Sequence, residues 1–496
     1  MDKAGSVTLV GAGCGKDLIT LKGLSELQKA DVVVYDDLID RNLLLETRAD
    51  CRQIYVGKRM GEHSRSQEEI HRLLAEKAKE GKRVVRLKGG DGFVFGRGGE
   101  EILYLQKERI PYEVVAGVSS GIAVPGHAGI PVTHRTTAQS VTIVTGHSAS
   151  GKEENYKALA ELEGTLVFLM GLSRIEEITR ALLANGKAPD TPASILSRGY
   201  SAREKRIDAA LCDIASKAGQ ARTPAVLVVG QTAELHLEGA LCRKLDRVFV
   251  TVTGTKAFVK KAVRCLSELG AEAQGCPCLE IAADYENIPQ SFEGFDWLVF
   301  TSANGVEVFF DGLFLRKTDL RRLSLLKFAC IGPGTSASLA EHGIYADFQP
   351  AVSTAKALGQ ELALRLKPGE RALLLRAKEG SPELAGELRR GGISFEDRGI
   401  YHTQVIREGI RGFCSQADYI VFGSARGAEA FLESGDFSAL TKPVCIGPET
   451  QKAFGKIRNE TCLVPEKYTI EGIAEEIIKD TERRRLYETI QEIETE

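Results

Sequence analysis

Short runs of β-branched and aliphatic residues alternate with longer stretches of helical pattern along nearly the whole chain. VTLV (7–10), VVVY (32–35), VVRL (84–87), VTIVTG (141–146), TLVFLM (165–170) and AVLVVG (225–230) are too short for helices and predict buried strands. Strands separated by helices predict an α/β protein with mainly parallel sheets. The series ends near Arg243–Arg247 and restarts with VFVTVTG (248–254), which places the main boundary there. GIPVTHR (129–135) breaks the pattern with glycine and proline before a fresh strand, which places a second boundary near 135. The expected organisation is two α/β domains, 1–134 and 135–245, then a bilobed region, 247–480, and a charged tail, 481–496.

The second half repeats itself. DWLVFTSANGVEVFF (296–310) resembles DYIVFGSARGAEAFL (418–432), and CIGPGT (330–335) resembles CIGPET (445–450). The latter pair is 115 positions apart, and the same spacing joins Pro350 to Pro465 and Thr354 to Thr469. Two related α/β lobes follow from a spacing kept at three landmarks.

Composition narrows the chemistry. The 496 residues are 43% apolar and 27% charged with a net charge of -3, so there is no excess of basic charge for nucleic acid. No apolar run approaches the roughly 20 residues that span a bilayer. The eleven cysteines include no CxxC pair. Met1–Ser6 has neither a basic nor an apolar leader segment, so reduced thiols in a cytoplasmic protein are expected. Cys276 and Cys278 could pair on a metal, but no second Cys/His pair accompanies them, and no metal is expected.

Two glycine loops follow strands, where open α/β sheets bind ligands. VGAGCGKD (10–17) lacks the last glycine of a dinucleotide fingerprint and has Asp17 where a P-loop has Ser or Thr. KGGDGFVFGRGG (88–99) has Phe95 where that fingerprint needs glycine. Both loops suit close backbone contact with a ligand that carries no triphosphate. An NAD-dependent oxidoreductase is the rival reading, opposed by the failed fingerprints.

With their neighbours the loops become specific. VGAGCGKDLITLKG, ADVVVYDDLI, VGKRMGEHSRSQEEI, VVRLKGGDGFVFGRGGEE, VVAGVSSGIAVPGHAGIPVTHR, TLVFLMGL and TPAVLVVG resemble, in order and spacing, the uroporphyrinogen III C-methyltransferases of the tetrapyrrole methylase family, over residues 6 to about 235. The resemblance implies two α/β domains with S-adenosylmethionine (SAM) bound in the cleft between them, and a homodimer. It implies a cofactor site lined by Cys14 (through its backbone), Gly89, Gly90, Asp91, Val94, Ser119, Ser120, Met170, Gly199 and Ala225. It assigns proton handling to Asp36 of YDDL and Lys58 of GKR. The substrate is rich in carboxylates, so Lys58, Arg59, Arg86, Lys88 and Arg97 are expected as cations near the cleft. Phe93 and Phe95 are expected to anchor the underside of the loop. The chain departs from the family at Gly13–Lys16, where members read GPGD, and at Gly92, where they carry proline.

In the second half, the turns at 301–305, 332–336, 423–427 and 447–450 join strands to helices with Ser, Thr and Gly. Helix N-termini with free amides and hydroxyls are natural carboxylate sites. Glu449 is their sole acid and there is no histidine, so a hydrolytic triad or metal site is poorly supported. FTSANGVEVFF, CIGPGTSASLAEHG, GIYHTQ, VFGSARGAEAF, IGPET and PEKYTIEGIAEEI resemble uroporphyrinogen III synthase over residues 247 to about 478. That implies two flavodoxin-like lobes, 247–276 with 405–480 and 285–397, joined by two linker strands. It implies that Tyr401 assists the leaving hydroxyl, and that Ser302, Thr335, Ser424, Thr450 and Thr469 hold substrate carboxylates. The paired resemblance implies a bifunctional enzyme that cyclises hydroxymethylbilane and then methylates uroporphyrinogen III at C2 and C7, feeding sirohaem or cobalamin synthesis. A bilobed sensor that binds tetrapyrrole without turnover is the alternative for the second half.

Overall fold

Valine-rich segments of four to six residues form the first sheet, as their burial on both faces requires. The computed structural model describes residues 5–15, 17–57, 66–146, 154–239, 242–407, 410 and 413–495. The chain divides into two compact units, residues 1–250 with 263–275, and residues 251–262 with 276–496.

In the first unit, β1 (Ser6–Gly11), β2 (Val32–Tyr35), β3 (Arg52–Tyr55), β4 (Arg83–Lys88) and β5 (Tyr112–Val115) form a parallel sheet in the order β3-β2-β4-β1-β5. The crossovers carry α1 (Leu21–Lys29), α2 (Gln67–Lys79) and α3 (Gly98–Lys107). A capping box starts α2, Ser66 Oγ accepting from Glu69 N at 3.2 Å while Ser66 N donates to the Glu69 carboxylate at 2.6 Å. One face of the sheet buries Val7, Leu9, Val32, Val34 and Val84, and the other Val10, Val33, Val85 and Leu87. After β1 the chain crosses toward β2, and after β4 it crosses the other way toward β5. Ligands of open α/β sheets bind at such a divergence, beyond the carboxyl ends of the strands.

Following α4 (Ser120–His127), the second sheet contains β6 (Val141–Thr145), β7 (Thr165–Leu169), β8 (Pro192–Ser197), β9 (Lys205–Ala210) and β10 (Ala225–Val229), in the order β6-β7-β10-β8-β9. Helices α5 (Tyr156–Glu161) and α6 (Ile175–Ala184) accompany it. Only β6 and β7 pair in parallel; the β7-β10, β10-β8 and β8-β9 ladders are antiparallel. The expectation of mainly parallel sheets fails here, because β8 returns to β9 without an intervening helix and a short return forces antiparallel pairing.

The third sheet orders its strands β14-β13-β15-β16-β12-β11-β18-β20. These are β11 (Phe249–Thr255), β12 (Glu272–Ala283), β13 (Trp297–Phe300), β14 (Lys327–Cys330), β15 (Arg371–Ala377), β16 (Ser394–Val405), β18 (Tyr419–Phe422) and β20 (Lys442–Cys445). The small strands β17 (Cys414–Ser415) and β19 (Asp436–Phe437) pair separately. Helices α7 (Lys256–Glu268), α8 (Ala303–Leu315), α9 (Pro333–Glu341), α10 (Ala355–Arg365), α11 (Glu383–Arg390), α12 (Ala425–Leu432), α13 (Pro448–Gly455) and α14 (Ile470–Thr495) complete it. The long strands β12 and β16 pair antiparallel, from Leu279↔Val405 to Ala283↔Tyr401, and join a lobe built on β13–β15 to one built on β11, β18 and β20. The repeat is structural as well as sequential: Cys330 N donates to Phe348 O at 3.0 Å, and Cys445 N to Leu463 O at 2.9 Å, each 115 positions on. Cys276 and Cys278 lie in the core beside Phe422 and Phe431. The segment expected as a separate tail continues α14, whose Ile473, Ile477 and Thr481 are buried while Leu486 and Tyr487 are exposed. No described helix is long and apolar enough to cross a membrane.

Candidate functional site

Three adjacent strands of the first sheet, β4, β1 and β5, run directly into glycine-bearing turns at Gly89–Gly90, Gly11 and Gly117. The loops close on one another by main-chain bonds alone: Gly13 N to Gly90 O at 3.1 Å, Gly90 N to Gly13 O at 2.7 Å and Ala12 N to Lys88 O at 2.7 Å. Gly13 and Gly90 have φ of +75° and +65°, a region that L side chains seldom occupy. Asp91 ties the edge together, its carboxylate accepting from Phe93 N at 2.8 Å and Gly117 N at 2.9 Å. Ser119 caps α4, its hydroxyl accepting from Gly121 N at 3.3 Å, and the amide of Ser120 is the nearest atom, at 3.8 Å, to the place a Cβ on Gly90 would take.

One apolar cluster gathers two of the remaining predicted positions, Cys14 and Val94. Cys14, Val94 and Tyr200 pack on a core that contains Val124, Leu169 and Val226. Gly199 precedes Tyr200 of this cluster, whereas Met170 is exposed and Ala225 packs on the opposite face of the second sheet, against the core of Phe168, Leu227 and Val229. A Cβ on Gly199 would stand 2.6 Å from the Val124 side chain. Arg198, Tyr200 and Met170 have left-handed φ of 52°, 65° and 56°, strain of a kind that concentrates at ligand sites. Burial pushes the Cys14 thiol up to about 11, which keeps it a neutral wall and not a nucleophile.

Asp36 follows β2 and is held at both oxygens, Oδ2 accepting from Arg86 Nη2 at 2.9 Å and Oδ1 from Leu38 N at 3.2 Å. Lys58 and Arg59 lie outside the described residues. Arg86 and Lys88 are not cations waiting for substrate carboxylates: they are 3% and 6% exposed and meet Glu101, Arg86 Nε at 3.3 Å and Lys88 Nζ at 3.0 Å from Oε1. Alternation along β4 turns both toward the face that α3 covers, which is why a basic pattern at a strand end did not mean an exposed one. Burial chiefly, and Arg86 next, lower the Lys88 pKa, while Glu101 opposes them. Arg97 is exposed and pairs with Glu100 at 2.6 Å. Phe93 and Phe95 do not anchor the loop's underside; both rings are exposed, Phe95 on left-handed backbone (φ 54°). Leu9 fills that underside, lying 3.1 Å from where Gly92 would carry a Cβ.

Gly11, Gly117 and Tyr200 belong to this edge and escaped the sequence assignments. The available signal was a glycine closing each of three valine-rich runs. A Cβ on Gly117 would overlap Gly90 O and stand 2.6 Å from Gly11 Cα, with no flexible neighbour to yield. Gly117→Ala is therefore expected to cost about 1–3 kcal/mol of methylase stability, read as a lowered Tm, and to weaken S-adenosylhomocysteine binding in calorimetry. Wild-type binding by this variant would show that the edge is not the cofactor site.

In the second unit the repeated turns are matched helix starts. Ser302 caps α8 and Ser424 caps α12, each hydroxyl accepting from a glycine amide at 3.1 Å, Gly305 and Gly427. Gly332 and Gly447 precede α9 and α13 with proline in the first turn, and Thr335 and Thr450 are buried behind them. Thr354 and Thr469 cap α10 and α14, at 3.2 Å from Ala357 N and 3.1 Å from Gly472 N.

The two lobes differ at one point. Ser302 Oγ lies 2.6 Å from the hydroxyl of Tyr401, a residue of β16 that is 4% exposed. The equivalent glycine of the other lobe, Gly427, faces Gly254 and Leu279 instead. Burial raises the Tyr401 pKa above that of an ordinary phenol, the Ser302 hydrogen bond opposing it and Glu379 adding to it. The result is one protonated phenol held by the serine that caps α8.

The family model of Tetrapyrrole (Corrin/Porphyrin) Methylases matches residues 6–215, and that of Uroporphyrinogen-III synthase HemD matches residues 260–475. The chain is 35% identical to porphyrin biosynthesis protein HemD of Ruminiclostridium josui, across 96% of this chain and 98% of that protein. Its first half is 54% identical to uroporphyrinogen-III C-methyltransferase of Methanocaldococcus jannaschii, over 47% of this chain and 98% of the relative. A solved structure of uroporphyrin-III C-methyl transferase from Thermus thermophilus, complexed with S-adenyl homocysteine, is 40% identical over 46% of this chain and 98% of that one, with a TM-score of 0.41. The chain therefore belongs to the family of its full-length relative, the porphyrin biosynthesis HemD proteins, with a tetrapyrrole methylase in its first half and a uroporphyrinogen-III synthase in its second.

Proposed function

We propose that the chain carries two consecutive reactions: its second half cyclises hydroxymethylbilane to uroporphyrinogen III, and its first half methylates that product at C2 and C7 to give precorrin-2. The observation that carries this reading is the presence, on one chain, of a glycine-bare strand edge beside Asp36 and a buried phenol at the start of α8. The product of the second half is the substrate of the first.

SAM fits the first site. The backbone is bare at Gly90, the apolar wall includes Val94, and the start of α4 offers amides to a carboxylate. When bound, SAM supplies an electrophilic methyl group. The residues assigned to hold it are Cys14, Gly89, Gly90, Asp91, Val94, Ser119, Ser120, Met170, Gly199 and Ala225. Asp91 would act through the backbone it fixes, because both its oxygens already accept from amides. A pyrrole carbon of the porphyrinogen is itself nucleophilic, so the first demand on the protein is alignment. The second is removal of a proton as the ring rearranges, assigned to Asp36 with Lys58 as its partner.

In the second half, Tyr401 donates its proton to the departing hydroxyl, and Ser302 orients the phenol. Ser424 and Thr469, with the amides beside them, are assigned to hold substrate carboxylates, and the turns of Thr335 and Thr450, whose side chains are buried, to do so through their amides. A homodimer formed through the methylase half would cover exposed apolar side chains there, Leu21, Leu103 and Ile122.

Purified full-length protein given hydroxymethylbilane should form uroporphyrinogen III, and with SAM added the product should gain the mass of two methyl groups. Unchanged spontaneous isomer I would refute the synthase assignment and favour a tetrapyrrole sensor; uroporphyrinogen III that stays unmethylated would refute the methylase assignment.

A further inference from the structure

We propose that Glu101 is a positioning residue for methyl transfer, holding Arg86 so that Arg86 fixes the carboxylate of Asp36 at the carboxyl edge of the sheet. The inference rests on the assignment of Asp36 as the proton acceptor.

Glu101 lies on α3 and is 1% exposed. Its Oε1 accepts from three donors: Arg86 Nε at 3.3 Å, Lys88 Nζ at 3.0 Å and Gln67 Nε2 at 3.1 Å. Its Oε2 is buried without a partner. The guanidinium of Arg86 is bound at every nitrogen. Nε meets Glu101, Nη1 meets Val34 O at 3.3 Å and Leu87 O at 3.0 Å, and Nη2 meets Asp36 at 2.9 Å. A planar fork anchored at three corners transmits the placement of one carboxylate to the other.

Charge makes the same connection. Arg86 and Lys88 are balanced by Glu101 and Asp36, and among the described residues His71, 3.1 Å from Gln67, and the Arg97–Glu100 pair also act on this cluster. Buried ion pairs contribute little net stability compared with apolar packing, because desolvation offsets their attraction. What this network provides is a fixed place for the carboxylate of Asp36, where small displacements cost large factors in rate.

The test uses full-length protein and SAM-dependent methylation of uroporphyrinogen III. Glu101→Gln leaves two buried cations facing a single carboxylate, and kcat is expected to fall by about 100-fold. KM for SAM should stay within about threefold, since none of the cofactor residues is touched. The double variant Lys88→Met with Glu101→Gln restores charge balance and keeps an acceptor for Arg86, so it should recover about tenfold of the loss. A Glu101→Gln enzyme of wild-type rate would overturn the inference. So would a loss that the double variant does not relieve and that matches a fall in the folded fraction, read by circular dichroism and Tm on the same sample, since an unfolded fraction lowers kcat and leaves KM unchanged. Asp36→Asn separates this inference from the assignment beneath it. If Asp36→Asn is fully active, both fall; if it is inactive while Glu101→Gln is unaffected, only the positioning role falls.

Discussion

Asp36→Ala is expected to reduce methylation by about 10²-fold or more while cyclisation by the same molecules continues at the wild-type rate. Carbon–carbon bond formation at an electron-rich pyrrole needs alignment, but the ring then has to lose a proton, and Asp36 is the carboxylate placed where the chain diverges after β2 and β4. Its two oxygens are fixed by Arg86 and by the Leu38 amide, so the side chain keeps one orientation. The alanine variant also leaves Arg86 Nη2 without its partner, which confounds catalysis with local destabilisation. Asp36→Asn keeps the acceptor for Arg86 and removes the basicity, so a comparable loss in both variants assigns the effect to proton transfer. The measurement is paired turnover on one sample, precorrin-2 from uroporphyrinogen III and uroporphyrinogen III from hydroxymethylbilane. Equal loss of both activities would mean misfolding and would withdraw the assignment.

The second large effect belongs to Tyr401. Tyr401→Phe is expected to slow cyclisation by about 10²-fold with methylation of supplied uroporphyrinogen III unchanged. The substitution removes one hydroxyl from a ring that is otherwise packed, and its stability cost is expected near 1 kcal/mol for the lost bond to Ser302. Spontaneous closure would then compete, so the product should shift toward isomer I. The pH dependence has a definite sign. Burial raises the pKa of Tyr401 above the ordinary phenol value, so the proton-donating form persists as pH rises. Cyclisation should not decline on this account until pH exceeds that of an ordinary phenol, about 10. A rate that falls with ionisation well below that point, or a Tyr401→Phe enzyme of wild-type rate, would reduce the residue to a packing element of β16.

The second unit is pseudo-symmetric, and Tyr401 marks one of its lobes. Matching serines cap α8 and α12 with the same geometry, yet Ser302 is engaged by Tyr401, while the glycine that Ser424 caps, Gly427, faces Gly254 and Leu279. The lobes have kept the helix starts, which suit any carboxylate, and differ where the proposed proton donor sits.

Much of this was legible in one dimension. Alternation of valine runs with helical segments gave the α/β class, the 115-position spacing gave the duplicated lobes, and glycines after strands marked the edge proposed for the cofactor. These are local properties: a backbone that must adopt positive φ, as at Gly13 and Gly90, or approach another backbone closely, excludes side chains whatever the rest of the chain does. Tertiary structure decided the partners. Arg86 and Lys88 read as cations for the substrate until α3 brought Glu101 over them, and Phe93 and Phe95 read as anchors until Leu9 occupied the space beneath the loop. Ser302 was one of five equivalent hydroxyls until β16 carried Tyr401, 99 positions away, to within 2.6 Å of it. Periodicity and glycine fix what a segment can be, because they act through the backbone of that segment. Whether a charge or a hydroxyl is available for chemistry depends on what packs against it from elsewhere, and that is a property of the fold.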